Sequence, residues 1–429
     1  MPSSARRPAP PIERAALVGL VTGLGRRSDA EQSLEELADL ARAVGAMVVA
    51  RVLQERERPD ASTFLGSGKI TSLAHLCAEL EVDVVIFDNE LTPAQLRQIE
   101  EKVERKILDR TQLILDIFAR RARTREGKWQ VELAQLKYLM PRLVGARAAL
   151  SRLGGGIGTR GPGETKLETD RRRIRQRIAS ISLEIDAVRQ RRAQLRERRQ
   201  KTSVPTVALV GYTNAGKTTL FNLLTREHAA TSNALFVTLD PLVRRVRLPD
   251  RRDLLLSDTV GFIDRLPHSL VAAFRATLEE VAEADLLLHV IDASAADRER
   301  HMAAVRRVLE EVGAAEVPVV EVFNKCDAID EAEQRRLQQQ SPAALCMSAL
   351  FGDGRADLLE TVASRLALDT RAVVLHFRAD SESDRQRISL LYRRARVVGH
   401  TTSDGQITIE AEVPRRLLER LTPGRPEGV

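Results

Sequence analysis

The chain has 429 residues, 43% of them hydrophobic, and a formal net charge of +7. That length allows about two to four domains, each with its own core. Three cysteines, Cys77, Cys326 and Cys346, without a CxxC pair exclude a disulfide scaffold and a zinc ribbon and fit a reducing compartment. No apolar run reaches the roughly 18 residues of a membrane span, so membrane contact is not indicated.

The opening stretch MPSSARRPAPPIER has no apolar h-region after its charges, so residues 1–14 are expected to be a disordered tail of a cytoplasmic protein rather than a signal peptide. Residues 15–109 then alternate strand and helix. AALVGLV, AMVVARV, VDVVIFD and KIL are apolar, partly β-branched runs of strand length. Between the first two lies SLEELADLARAVG, where Ser33 and Glu36 suggest a capping box and Gly45 a C-terminal stop. In LTPAQLRQIEEKV, Thr92 is the expected N-cap and Pro93 the first helical residue. This is the pattern of a small α/β domain with a largely parallel sheet.

From Arg110 the pattern turns helical and basic. Residues 105–204 hold 26 Lys+Arg against 10 Asp+Glu, more than the whole excess of the chain. TQLILDIFARRARTREGKWQVELAQLKYLMPRL is expected to be mostly helical. LETDRRRIRQRIASISLEIDAVRQRRAQLRERRQK runs to Lys201 without Gly or Pro, with Ile174, Ile178, Ile181, Ile185, Val188 and Leu195 at helical steps. The glycine-rich stretch between them predicts an antiparallel hairpin over 110–201, tipped by residues 151–165. A concentrated basic field is the footprint of a polyanion partner, whereas a merely solvated helix face is the plainer reading.

Residues 204–368 again alternate strands and helices, and 371–429 read as a small α+β domain with strands RAVVLHF, ARVVGHT and QITIEAEV. The fold class is therefore α/β in four parts: a parallel α/β domain, a basic hairpin, a phosphate-loop domain with a mostly parallel helix-flanked sheet, and an α+β tail.

The third part carries the chemistry. TVALVGYTNAGKTTLFNLL is a strand, then Gly211-x4-Gly216-Lys217-Thr218, then a helix, which is the full phosphate-loop template. Backbone N–H groups of Gly211, Tyr212, Thr213, Asn214, Ala215 and Gly216 are expected to wrap phosphates at a helix N-terminus, with Thr219 nearby. Lys217 would reach the β- and γ-phosphates, and Thr218 would ligate Mg2+. Asn324-Lys325-Cys326-Asp327 follows the strand PVVEVF, and the Asp327 carboxylate can accept from the two donors of guanine that adenine lacks. Ser348, Ala349 and Leu350 fit the loop that touches the guanine O6. In DTVG, Asp258 can hold Mg2+ through water, Thr259 and Val260 follow, and the Gly261 N–H can meet the γ-phosphate. In FVTLDP, spanning Phe236, Val237, Thr238, Leu239 and Asp240, Thr238 is the expected second Mg2+ hydroxyl, with Thr231 as its rival. Phe262 stands where Ras-like GTPases carry the glutamine that orients water, so hydrolysis alone is expected to be slow and no catalytic residue is certain. Asn214 resembles the asparagine of GTPases that recruit K+, against a simple role in bracing the turn. The order and spacing resemble translation-factor-like GTPases.

With these residues, the chain strongly resembles the HflX family of ribosome-associated GTPases, from about Ala15 to Leu368. The most specific parts are LGGGIGTRGPGETKLETDRRRIR and the preceding RTQLILDIFARRARTREGKWQVELAQLKYLMPRL, joined by GYTNAGKTTLFN, FVTLDP and DTVGFI. The resemblance implies a monomeric GTP/GDP-binding, GTP-hydrolysing factor that associates with the large ribosomal subunit and its ribosomal RNA, remodels or splits ribosomes, and is stimulated by them. The glycine loop lacks the Gly-Lys-Thr triplet and follows no strand, so it is a poor nucleotide loop. Gly154, Gly155, Gly156, Arg160, Arg171, Arg172 and Arg173 are instead expected RNA contacts, through backbone N–H groups and guanidiniums. A tight connection needing glycine for φ > 0 is the plainer reading of the tip. A GTPase switch whose partner is a protein or another structured RNA is the competing function.

Overall fold

The computed structural model describes residues 12–23, 26–143, 162–200, 204–226, 236, 242–264, 280–367, 370–403, 405–414 and 418. Residues 151–161, and with them Gly154, Gly155, Gly156 and Arg160, lie outside the described residues, as do Thr231, Val237, Thr238, Leu239 and Asp240. The chain divides into two compact units near Ile185.

In the first unit, β1 (Arg14–Thr22), β2 (Met47–Arg56), β3 (Val84–Phe87) and β4 (Lys106–Asp109) form an all-parallel sheet in the order β2-β1-β3-β4. Seven successive residues of β1 are buried, as expected of a central strand covered on both faces. Helices α1 (Arg27–Ala43), α2 (Ser67–Glu79) and α3 (Pro93–Val103) make the crossovers. Thr92 caps α3 as the sequence predicts, in a reciprocal capping box with Gln95, and Pro93 follows. Gly45, at φ +85°, ends α1 by donating to the Arg42 carbonyl while Ala46 donates to Ala41, a Schellman closure.

The expected capping box at Ser33 does not form. Helix α1 begins six residues earlier, at Arg27, and Ser33 is fully buried within it. Its hydroxyl donates to Asp88 Oδ2 at 2.7 Å, and Glu36 pairs with Arg110. A tertiary network thus claims both side chains that local pattern assigns to a cap. Arg110, 3% exposed at its side chain, also donates to Asp88 Oδ1 at 2.8 Å.

The first basic segment is two helices rather than one. Helix α4 (Arg110–Arg121) starts on an Asp109 cap and buries Leu113, Ile114, Leu115, Ile117 and Phe118. It packs on α1, β3 and β4, then breaks at Ala122 before α5 (Arg125–Leu143). Helix α6 (Pro162–Gln200) follows. Ile181 and Ile185 of α6 are buried against Leu133 of α5, with Trp129, Leu136 and Ile178 around them. Arg177 adds a two-pronged bond to Glu132, at 2.6 and 2.8 Å. Arg172 and Arg173 are exposed and Arg171 is half-buried.

In the second unit, β5 (Thr206–Val210), β6 (Leu242–Arg247), β7 (Asp253–Asp258), β8 (Leu286–Asp292), β9 (Val319–Asn324) and β10 (Leu345–Cys346) form a sheet in the order β10-β9-β8-β5-β7-β6. Only the β6–β7 pairing is antiparallel among these described strands. Strand β5 lies between β7 and β8, so the loops at the carboxyl ends of β5, β7, β9 and β10 open on one rim. The tail is an antiparallel sheet, β11 (Thr370–Arg378), β13 (Gln406–Pro414) and β12 (Arg396–Ser403) in that order, covered by the helix Glu382–Arg394 through Leu391.

Breaking the buried network should be costly. Arg110→Met strands Asp88 and Glu36 without their cation, and a loss of roughly 3–5 kcal/mol is expected. Urea unfolding followed by the fluorescence of Trp129, the single tryptophan of the chain, measures it. A loss below that of Ser33→Ala would contradict this role for Arg110.

Candidate nucleotide site

The phosphate loop joins β5 to α7 (Lys217–Thr225). Two of its glycines are required by geometry. Gly211 has φ +152°, and a Cβ there would stand 2.3 Å from the Val290 carbonyl oxygen. Gly216 has φ +92°, and its Cβ would meet Asn324 Nδ2 at 2.2 Å. Asn214 sits at φ +61° and is exposed, in the left-handed region that asparagine tolerates better than most residues.

Lys217 is buried under this loop. Its Nζ donates to the carbonyls of Gly211 at 2.9 Å and Tyr212 at 2.8 Å. Burial pushes its pKa from 10.5 down to about 8, opposed by the nearby Asp258 carboxylate. Thr218 Oγ1 donates to Asp258 Oδ2 at 2.9 Å, which brings the helix start to the end of β7. Past Asp258, Thr259 Oγ1 donates to the Leu209 carbonyl at 2.6 Å. Gly261 lies against the loop, where a Cβ would be 2.9 Å from Thr213 Cα. Phe262, 2% exposed, pairs with the loop by backbone alone: Thr213 N–H donates to its carbonyl at 2.7 Å, and its own N–H donates to Gly211 O at 3.1 Å. Phe236 is also buried, and its N–H donates to Thr213 Oγ1 at 3.3 Å.

The loops after β9 and β10 meet the phosphate loop through one side chain. Asn324 is 2% exposed; its Nδ2 donates to Ala215 O at 2.9 Å and its Oδ1 accepts from Ala349 N–H at 2.8 Å. Lys325, at φ +63°, pairs its Nζ with Asp292 Oδ2 at 2.6 Å. Asp327 is exposed at the head of the same turn. Ser348 Oγ accepts from Phe351 N–H at 3.3 Å, and Leu350 is 71% exposed. The phosphate-loop, DTVG, NKCD and SAL residues named from the sequence therefore share one rim. Sequence reading did not find Asp292, whose only signal is its place as the last residue of the strand LLLHVID, nor His301, whose ring stacks on Tyr212, nor Arg300, whose guanidinium holds the Asp264 carboxylate.

A divalent cation fits this rim in kind. Thr218 and Asp258 supply hard oxygen atoms side by side, the donors Mg2+ prefers. Among the described residues no cluster of three or more His, Cys, Asp or Glu could hold a metal by itself, so substrate oxygens and water would complete the shell.

A family profile described as "50S ribosome-binding GTPase" matches residues 206–325. Profiles described as "GTP-binding GTPase N-terminal" and "GTP-binding GTPase Middle Region" match 31–119 and 121–199. The GTPase HflX of Caldanaerobacter subterraneus subsp. tengcongensis is 44% identical over 409 residues, 95% of this chain and 93% of that protein. The chain belongs to the HflX family of GTPases. The HflX GTPase of Escherichia coli K12 is 43% identical, over 91% of this chain and 92% of its own. A solved structure described as an SsGBP and GDP complex overlays with a TM-score of 0.45 at 24% identity, over 82% of this chain and 98% of that one. As a member of the HflX family the chain is a GTP-hydrolysing enzyme.

The buried lysine makes stability depend on pH with a definite sign. The folded pKa of Lys217, about 8, lies below the ordinary 10.5, so between these values the unfolded chain binds more protons. Stability of the nucleotide-free protein should therefore rise with pH across that window and fall back as pH drops through 8. The comparison is the unfolding free energy of wild type minus that of Lys217→Met at several pH values. A difference that stays flat from pH 8 to 10.5 would contradict the assignment.

Proposed function

We propose that the chain is a GTP switch that binds the large ribosomal subunit in its GTP state, remodels or splits the ribosome, and leaves after hydrolysis. The rim above is the nucleotide site. The phosphates lie along Gly211–Thr219, the Asp327 carboxylate accepts from the guanine N1–H and 2-amino group, and the backbone of Ser348–Leu350 faces O6. The observation that carries this reading is the double use of Asn324, which ties the phosphate loop to the base-reading loop. A site built to pair with guanine donors rejects adenine by leaving a carboxylate unmatched.

Mg2+, once bound, would neutralise charge on the β- and γ-phosphate oxygens. Thr218 directly, Asp258 through water and Thr238 are the residues of this chain that would hold it. Lys217, which gives two N–H bonds to the carbonyls of Gly211 and Tyr212, has a third for the β- and γ-phosphates. The Gly261 N–H reports the γ-phosphate. Phe262 leaves the attacking water without a hydrogen-bonding partner, so the ribosome supplies or orders the missing group. Asn214 is a candidate K+ ligand, although its left-handed backbone alone accounts for an asparagine.

The RNA-facing part is the basic segment 105–204. Exposed Arg172 and Arg173 support this reading, and Gly154, Gly155, Gly156, Arg160 and Arg171 extend it toward the tip. The seam between α5 and α6 is filled by their own residues, which favours RNA over a coiled-coil protein partner for the arginine face. No helix among the described residues is long and apolar enough to cross a membrane. We place the chain in the cytoplasm and take it to act as a monomer; free Cys77, Cys326 and Cys346 support the reducing compartment.

Two outcomes test this. Asp327→Asn should weaken GTP binding at least tenfold, about 1.4 kcal/mol, and favour xanthosine triphosphate, whose 2-oxo group suits an amide donor. Titration with a fluorescent nucleotide measures both, and an unchanged GTP affinity removes Asp327 from the site. Phosphate release should be slow for the free protein and faster with large ribosomal subunits. A fast basal rate that subunits leave unchanged would contradict a partner-completed site, and equal rates in K+ and Na+ would leave Asn214 as a turn residue only.

A further inference from the structure

Strand β8 carries one polar side chain that the nucleotide rim leaves unused. His289 lies mid-strand among buried apolar neighbours and is itself 3% exposed. Among the described residues neither of its ring nitrogens makes a hydrogen bond. Burial, with Arg306 and then Lys217 adding to it, pushes its pKa from 6.5 down to about 4. The ring is therefore neutral near physiological pH, with one N–H to give and no protein acceptor to take it. Burying such a group unmatched is costly, and the cost is removed by a ligand that pairs with it.

His289 lines a cleft of about 330 Å3, bounded by the helix Arg298–Glu311, β9 and the loop Ser341–Ala344. That volume is at the lower end of the range for small-molecule sites. Leu309, Val319, Pro342 and Ala343 give it apolar walls. Arg306 and Arg365 bring two guanidiniums and Glu321, the register partner of His289, brings one carboxylate. The cleft therefore keeps one positive charge. Arg306 gives one nitrogen to Glu321 at 3.0 Å, which leaves other N–H groups of that guanidinium to give. Arg365 pairs with no carboxylate among the described residues. Val319 opens β9 and Asn324 closes it, so the cleft lies toward the end of the sheet opposite the rim.

We propose that this cleft binds a small carboxylate with an apolar body, its head on the His289 N–H and the guanidiniums of Arg306 and Arg365, its body against Leu309, Val319 and Pro342. The three donors supply what a carboxylate accepts, and charge-assisted bonds from arginine are the strong ones. One net positive charge matches one negative charge. Glu321 repels a second, which disfavours a dianionic phosphate. Glu321 is thus the residue that sets the charge of the ligand. The site is independent of the guanine-nucleotide reading, since none of its residues belongs to the rim.

The probe is 4-fluorobenzoate, titrated against the full chain and followed by fluorine NMR, with and without GDP. A fragment of this size should bind with a Kd of about 1 mM. 4-Fluorobenzamide keeps the body without the charge, and trifluoroacetate keeps the charge without the body. Each should bind at least about fivefold more weakly. Arg365→Ala changes an exposed side chain and should weaken the benzoate by about three- to tenfold. His289→Leu should do the same by removing the N–H, while Glu321→Gln should tighten binding by a similar factor. GDP should leave the benzoate affinity unchanged. No binding at about ten times the expected Kd overturns the proposal. So does equal binding of the amide, which marks an apolar hollow only. An affinity that Arg365→Ala and Glu321→Gln leave unmoved, or a probe that GDP displaces, places the anion elsewhere and overturns it as well.

Discussion

The Asn324 side-chain amide is the contact on which the rim depends. An amide has one donor end and one acceptor end, and here the donor takes Ala215 O while the acceptor takes Ala349 N–H. Buried at 2% exposure, it satisfies two backbone groups of loops 109 and 25 residues away in sequence. Neither aspartate nor leucine of similar size offers that pair of ends, because a carboxylate only accepts and an alkyl group does neither. The same nitrogen stands where a Cβ on Gly216 would go, so the glycine and the asparagine require one another. In the proposed reading of the rim, the spacing between phosphate loop and base-reading loop rests on this bridge.

A second constraint is the separation of charge along the chain. The surplus of basic residues falls in 105–204, while the stretches on either side carry more acid than base. Within the described helices the arginines divide in two. Arg110 and Arg142 are consumed by carboxylates at strand ends, Asp88 and Asp109, and hold the first unit together. Arg172 and Arg173 face solvent. Composition alone does not tell these apart, because a structural arginine and a phosphate-binding one look the same in a count. Burial and partners separate them, and only the exposed set is available to a polyanion.

Elements set by short-range rules were legible in the sequence. The four strands of the first sheet, the Thr92–Pro93 start of α3 and the Gly45 stop each follow from residues within a turn of the feature. The phosphate loop was legible for the same reason, since its glycines answer to local φ and to close backbone approach. What pattern misjudged was long-range. Ser33 and Glu36 read as a cap, yet they are spent on Asp88, just past β3, and on Arg110 of α4, dozens of positions on. The break between α4 and α5 holds no glycine or proline; Ala122 turns to extended backbone there, and Thr124 Oγ1 accepts from the Gly127 N–H where α5 begins. Asp292, Arg300 and His301 were invisible as site residues because their partners, Lys325, Asp264 and Tyr212, come from other loops. A one-dimensional reading finds motifs and misses the side chains that position them.

The central claim is that guanine-nucleotide state, read at the rim assembled by Asn324, governs binding to the large ribosomal subunit. Co-sedimentation of the full chain with purified large subunits under GDP, GTP and a non-hydrolysable analogue tests it most directly. The account predicts that protein pellets with subunits in the analogue, is released as GTP is consumed, and stays in the supernatant with GDP. Equal pelleting in all three conditions would contradict it.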